Sequence, residues 1–84
     1  MKHLDPAVEK SLRSQPDARL RCIIRTKGQP ATHRAAVEQS GLQVVFVSTL
    51  INAITVEGKA GHILTLADAD WVLAIELDKP VHTM

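Results

Sequence analysis

Among the side chains able to do chemistry, Glu76 and Asp78 have the most informative spacing. Two residues apart on extended backbone, their carboxylates project to the same side. Such a pair has two readings. It is either a solvated strand end, or a pair of acceptors for a partner's backbone amides, as carboxylates are at helix N-termini. The other reactive types are dispersed. His3, His33, His62 and His82 fall on four different elements without metal-ligand spacing, and there is no second cysteine to complete a zinc site. All four are expected to be solvent-exposed and unligated. Cys22 lies among apolar alternations, where a buried small hydrophobe is the expected role rather than a reactive thiol. Gly58 and Gly61 flank a helix start and Gly28 and Gly41 mark turns, but no strand-to-helix phosphate loop accompanies them. With no Ser-centred elbow and no catalytic carboxylate pair, neither an enzyme nor a cofactor is expected.

The elements that must carry these residues follow from local signals. Asp5-Pro6 is a helix start, because Asp accepts from the first free amides and Pro at the first helical position loses no hydrogen bond. Leu4, Val8 and Leu12 then recur every four residues, which predicts a short helix over residues 6–14, ended by Gln15-Pro16-Asp17. Arg19 to Arg25 reads as a strand with Leu20, Cys22 and Ile24 on one face and Arg21, Ile23 and Arg25 on the other. After the loop Lys27-Gly28-Gln29-Pro30, residues 31–40 read as a helix with a thin apolar face of Ala31, Ala35 and Val37, stopped by Gly41. The β-branched run 42–49 is a second strand and Leu50 to Val56 a third, closed by Glu57-Gly58, with a turn near Ser48–Leu50. Ala60, Ile63, Leu64 and Ala67 mark an amphipathic helix over 59–68. Trp71 to Leu77 is a fourth strand, and Asp78 to Met84 is too polar and Pro-interrupted to be core.

After the first helix the order is β-α-β-β-α-β. Two interleaved right-handed crossovers give an α+β, ferredoxin-like antiparallel sheet with two helices on one face. One domain is expected: an N-terminal helical extension over 1–17, the core over 18–78, and a C-terminal tail over 79–84. The other sheet face has nothing in the chain to cover it. Ile23 and parts of the Val44–Val47 run would lie there, as a candidate partner surface or as ordinary scattered aliphatics.

Composition narrows the partners. The chain has 84 residues, is 45% apolar and 23% charged, and carries ten Lys plus Arg against nine Asp plus Glu, a net charge of +1. One domain of this size buries about 60–65% of its unfolded surface, so its core is modest. The charge balance gives no electrostatic reason to expect nucleic acid or an anionic membrane. Phe46 and Trp71, the only aromatics, cannot build a base-stacking platform. A single cysteine excludes an internal disulfide, and no apolar run approaches the length of a membrane span. The N-terminus lacks the apolar stretch of a signal peptide. The compartment is therefore left open between the place of synthesis and secretion with a leader, and the free chain is expected to be a monomer.

The second half resembles the subtilisin propeptide family. The resemblance rests on Leu50 to Val56, similar to the family's third strand, on the helix Lys59–Ala67 that follows, and on the run Asp70 to Asp78, an apolar strand leading into Glu-x-Asp. The tail Lys79–Met84 has the length of a propeptide cut at its junction with the enzyme, and His82 has counterparts in bacterial members. Pro80 departs from the family's pattern. The resemblance spans residues 19–84 and implies a function: inhibition of subtilisin-like serine proteases. By position it implies that the open sheet face packs on two protease helices, that Glu76 and Asp78 cap those helices' N-termini, and that the tail enters the active-site cleft like a cleaved product. Met84 would then occupy the primary specificity pocket, followed by Thr83 and His82, with Val81 in an apolar subsite. A strand-like tail adding to the protease's substrate-binding segment would take affinity from main-chain bonds.

Two roles share this mechanism, a free-standing inhibitor and a propeptide that also chaperones its own protease; Met1 at the start and Met84 at the end favour the first. A different class, a small ligand-binding regulatory module on the same fold, lacks a Gly-rich ligand loop here. A small phosphatase would need an anion-cradling loop before Asn52, and an RNA-binding version would need aromatics at the centre of the sheet.

Overall fold

The computed structural model describes residues 6–78. Helix α1 spans Pro6–Ser14, as the Asp5-Pro6 signal predicts, and strand β1 spans Arg19–Thr26. A 3₁₀ turn, Pro30–His33, leads into the short helix α2, Arg34–Gln39. Strands β2, Gln43–Ser48, and β3, Ala53–Lys59, precede helix α3, Ala60–Leu66, and strand β4, Val72–Leu77.

The sheet order is β2-β3-β1-β4, and every neighbouring pair is antiparallel. Each crossover steps over one strand: β1 to β2 over β3, and β3 to β4 over β1. This is the ferredoxin-like arrangement. Alternation sends Cys22 and Ile24 of β1 and Ile54 and Val56 of β3 to one face, and the irregularity in β1–β4 pairing at Arg25–Thr26 lets both Val72 and Ile75 of β4 join them, all at most 2% exposed. Val37 of α2 and Ile63 and Leu66 of α3 close over them.

Helix α1 is more than an extension. Leu12 is fully buried in the same core, with Val8 packed against it. The connection after α1 also satisfies the start of α3: the amides of Ala60 and Gly61 donate to the carbonyls of Ala18 and Pro16, both at 2.9 Å. The first amides of a helix have no partner inside it, and this segment supplies one for two of them.

Three local readings need correction. The 31–40 helix is α-helical only from Arg34. Its first turn is 3₁₀, with a period of three residues, so Ala31 and Ala35 are exposed while Pro30 and Val37 are buried. The third strand begins at Ala53, because Leu50, Ile51 and Asn52 belong to the turn. Asn52 takes the left-handed conformation, φ 49°, which Asn tolerates and which brings Ser48 opposite Ala53. That strand also continues through Gly58 instead of ending there. A Cβ on Gly58 would come within 2.6 Å of the Leu42 side chain, so this glycine serves close packing, not a turn.

Candidate functional site

The second sheet face is built from the alternate residues of the same strands. Opposed residues of antiparallel strands share a face, so the register gives its rows directly. Gln43, Glu57 and Arg21 form one row, Phe46, Thr55, Ile23 and Glu76 the next, and Ser48, Ala53, Arg25 and Ala74 a third. Ile23 is half-buried here, as expected. Val44 and Val47 lie opposite Val56 and Ile54 on the helix-covered face. The apolar contribution of β2 to the open face is instead Phe46, 62% exposed, because a bulge at Val45 shifts the alternation.

Glu76 and Asp78 are brought together on this face. The amide of Asp78 donates to the Arg21 carbonyl at 2.9 Å, so pairing with β1 persists one residue beyond β4. The Glu76 carboxylate accepts from Nε of Arg25 at 2.9 Å, and both side chains are about half exposed. Sequence reading missed this ion pair, whose members are 51 residues apart. The signal was a basic residue on the polar face of β1, and only the register shows which acid it meets. No side-chain partner of Asp78 is found among the described residues. Val81, His82, Thr83 and Met84 lie outside the described residues.

The remaining candidate groups are structural. Burial, with a smaller contribution from the negative charge of Asp78, pushes the Cys22 thiol up to about 11. His33 is half-buried, its ring stacked on Trp71 with centroids 4.3 Å apart and its Nε2 3.3 Å from the Lys27 carbonyl. That corrects the expectation of four exposed histidines: Trp71 offers His33 a flat apolar surface next to the β4 start. His62 is exposed and lies over Gly41, where an added Cβ would come 2.7 Å from its Nδ1. His3 and His82 are outside the described residues. Among the described residues, no three His, Cys, Asp or Glu side chains gather into a metal site. No helix of the described residues is long and apolar enough to cross a membrane.

The open face combines an exposed aromatic, half-buried aliphatic and hydroxyl positions, and charges of both signs, with two carboxylates at the edge where β4 ends. The chain matches no protein-family model and no curated protein.

Proposed function

We propose that this chain inhibits subtilisin-like serine proteases, docking through the open sheet face and placing residues 81–84 in the active-site cleft. The observation that carries the reading is the continuation of β4 pairing to Asp78. Strand alternation carried one residue further sets Glu76 and Asp78 on the same side, near where the chain leaves for its C-terminal segment, which supports the reading. A protease helix N-terminus laid there would meet two acceptors for its unpaired amides. The Arg25–Glu76 pair is no obstacle, since an exposed ion pair is worth about 0–1 kcal/mol and can be shared or exchanged. Phe46 supplies an aromatic anchor of the kind that dominates interfaces. The chain itself does no chemistry in this reading. It occupies the cleft and is held by main-chain bonds and by the face behind them.

The test is titration of a bacterial subtilisin with the purified chain, following a chromogenic peptide. A variant lacking Val81–Met84 is run alongside. Inhibition by the full chain that the deletion weakens at least a hundredfold supports the reading. No inhibition of that enzyme or of a small panel of other subtilases would leave only a shared fold.

A further inference from the structure

From Gln39 to Val56 the chain carries no charged residue, and β2, with the turn that follows it, holds four exposed large apolar side chains: Val45 at 41%, Phe46 at 62%, Leu50 at 96% and Ile51 at 54%. β2 is also an edge strand. Exposed edges are normally blunted by charge or proline, because their unpaired amides and carbonyls template another strand. The bulge at Val45 is the one blunting device on β2.

The hydrogen-bond alternation identifies which groups face outward. Thr26 donates to the Asn52 carbonyl and Ala60 to the Ala18 carbonyl, so the even-numbered residues of β3 bond to β1. The odd-numbered ones, Ala53, Thr55 and Glu57, bond to β2 through Ser48, Phe46 and Gln43. Val44 and Val47 are left with their N–H and C=O groups at the free edge.

We infer that this edge pairs with the same edge of a second copy, antiparallel about a two-fold axis perpendicular to the sheet. The register that uses both outward-facing residues of each copy pairs Val44 with Val47. Val44 meets the partner's Val47, and Val47 the partner's Val44, each pair exchanging two main-chain hydrogen bonds. Side-chain faces agree throughout: the valine pairs lie on the helix-covered side, while Val45 meets the partner's Phe46 and Gln43 the partner's Ser48 on the open side. In a regular strand, residues three apart face opposite sides and could not pair in this way; the bulge puts Val44 and Val47 on the same side and so allows this register. No charged residue lies on β2 or on the turn that follows it, and the interface is isologous, as a two-fold requires. The contact is smaller than a standard stable interface, so the dimer is weak and fills only at high chain concentration.

The experiment is sedimentation velocity on the full chain from about 1 μM to about 1 mM. The wild type is expected to shift from monomer to dimer across this range. Val45→Lys and Phe46→Glu should each stay monomeric, while an equimolar mixture of the two should recover a heterodimer, because position 45 of one copy faces position 46 of the other. Circular dichroism confirms that both variants are folded; if either is not, Val45→Thr should still weaken the wild-type dimer severalfold. A monomer at every concentration overturns the inference, as does a dimer unaffected by Val45→Lys and Phe46→Glu. A dimer lost in Leu50→Asp but kept in both strand variants would assign association to the turn, which also overturns it.

Discussion

Phe46→Ala separates the proposed binding role of the open face from its role in the fold. Phe46 is 62% exposed in the free chain, and its ring lies on the face opposite the helices. Burying a whole Phe side chain is worth about 1.5–3 kcal/mol. The exposed share, still to be gained on docking, is therefore about 1–2 kcal/mol, and truncation should raise the inhibition constant roughly 5- to 30-fold. The share already buried in the monomer is smaller, so folding stability should drop by at most about 1 kcal/mol, or roughly 4–8 °C in Tm. The assay is a tight-binding titration at nanomolar chain, where edge pairing is unpopulated, together with thermal melts of both proteins. If the inhibition constant stays within about twofold of wild type while removal of residues 81–84 abolishes inhibition, the C-terminal segment alone holds the enzyme. The open face would then point elsewhere.

Two further outcomes test the core. Leu12→Ala should cost about 3–5 kcal/mol in urea unfolding, because Leu12 is fully buried and truncation leaves a cavity under α1. This is a large part of the roughly 4–12 kcal/mol typical of a chain this long. A cost below about 1 kcal/mol would mean that α1 is dispensable. Cys22 gives a pH dependence. The folded thiol keeps its proton up to about 11, whereas an unfolded one loses it near 9.0. Above pH 9 the unfolded state binds fewer protons, so stability is full below 9 and declines as pH rises toward 11. The loss is on the order of 3 kcal/mol and should disappear in Cys22→Ala. In the native protein a thiol reagent at pH 8 should react only at the rate of unfolding, and fast labelling would contradict the buried assignment.

The parts of the fold that were legible in the sequence are those decided within a few residues. The Asp5-Pro6 start fixes α1, the alternation from Leu20 to Ile24 fixes the faces of β1, and the i, i+3, i+4, i+7 pattern finds α3. Where a distant contact decides, local reading fails. Leu50-Ile51 has strong strand propensity, yet both residues are spent on a turn, because pairing of β2 with β3 begins at Ser48 and Ala53 and Asn52 supplies the reversal. Ala31 and Ala35 look like a helix face only if the period is 3.6. The 3₁₀ turn starting at Pro30 rotates them out to solvent, and Pro30 takes the buried position. The bulge at Val45, which decides whether Phe46 faces the helices or the open side, has no signature in a run of β-branched residues.

The candidate site divides along the same line, and the division makes its two acids unequal. Strand alternation alone puts Glu76 and Asp78 on one side, but only the cross-strand register reveals Arg25 against Glu76. A carboxylate at a helix N-terminus gains about 0.3–1 kcal/mol when exposed and up to about 2 kcal/mol when partly buried. For Glu76 that gain is set against an ion pair of similar worth, so its exchange onto a partner is close to neutral. Asp78 gives up no such pair among the described residues. Its half-buried position beside the Arg21 carbonyl also holds its backbone fixed by a hydrogen bond before any partner arrives. A fixed acceptor loses less entropy on binding than a mobile one. Of the two acids, Asp78 is therefore expected to carry the larger share of any helix-capping affinity in the proposed complex, while Glu76 would chiefly keep Arg25 from presenting an unpaired positive charge to that helix end.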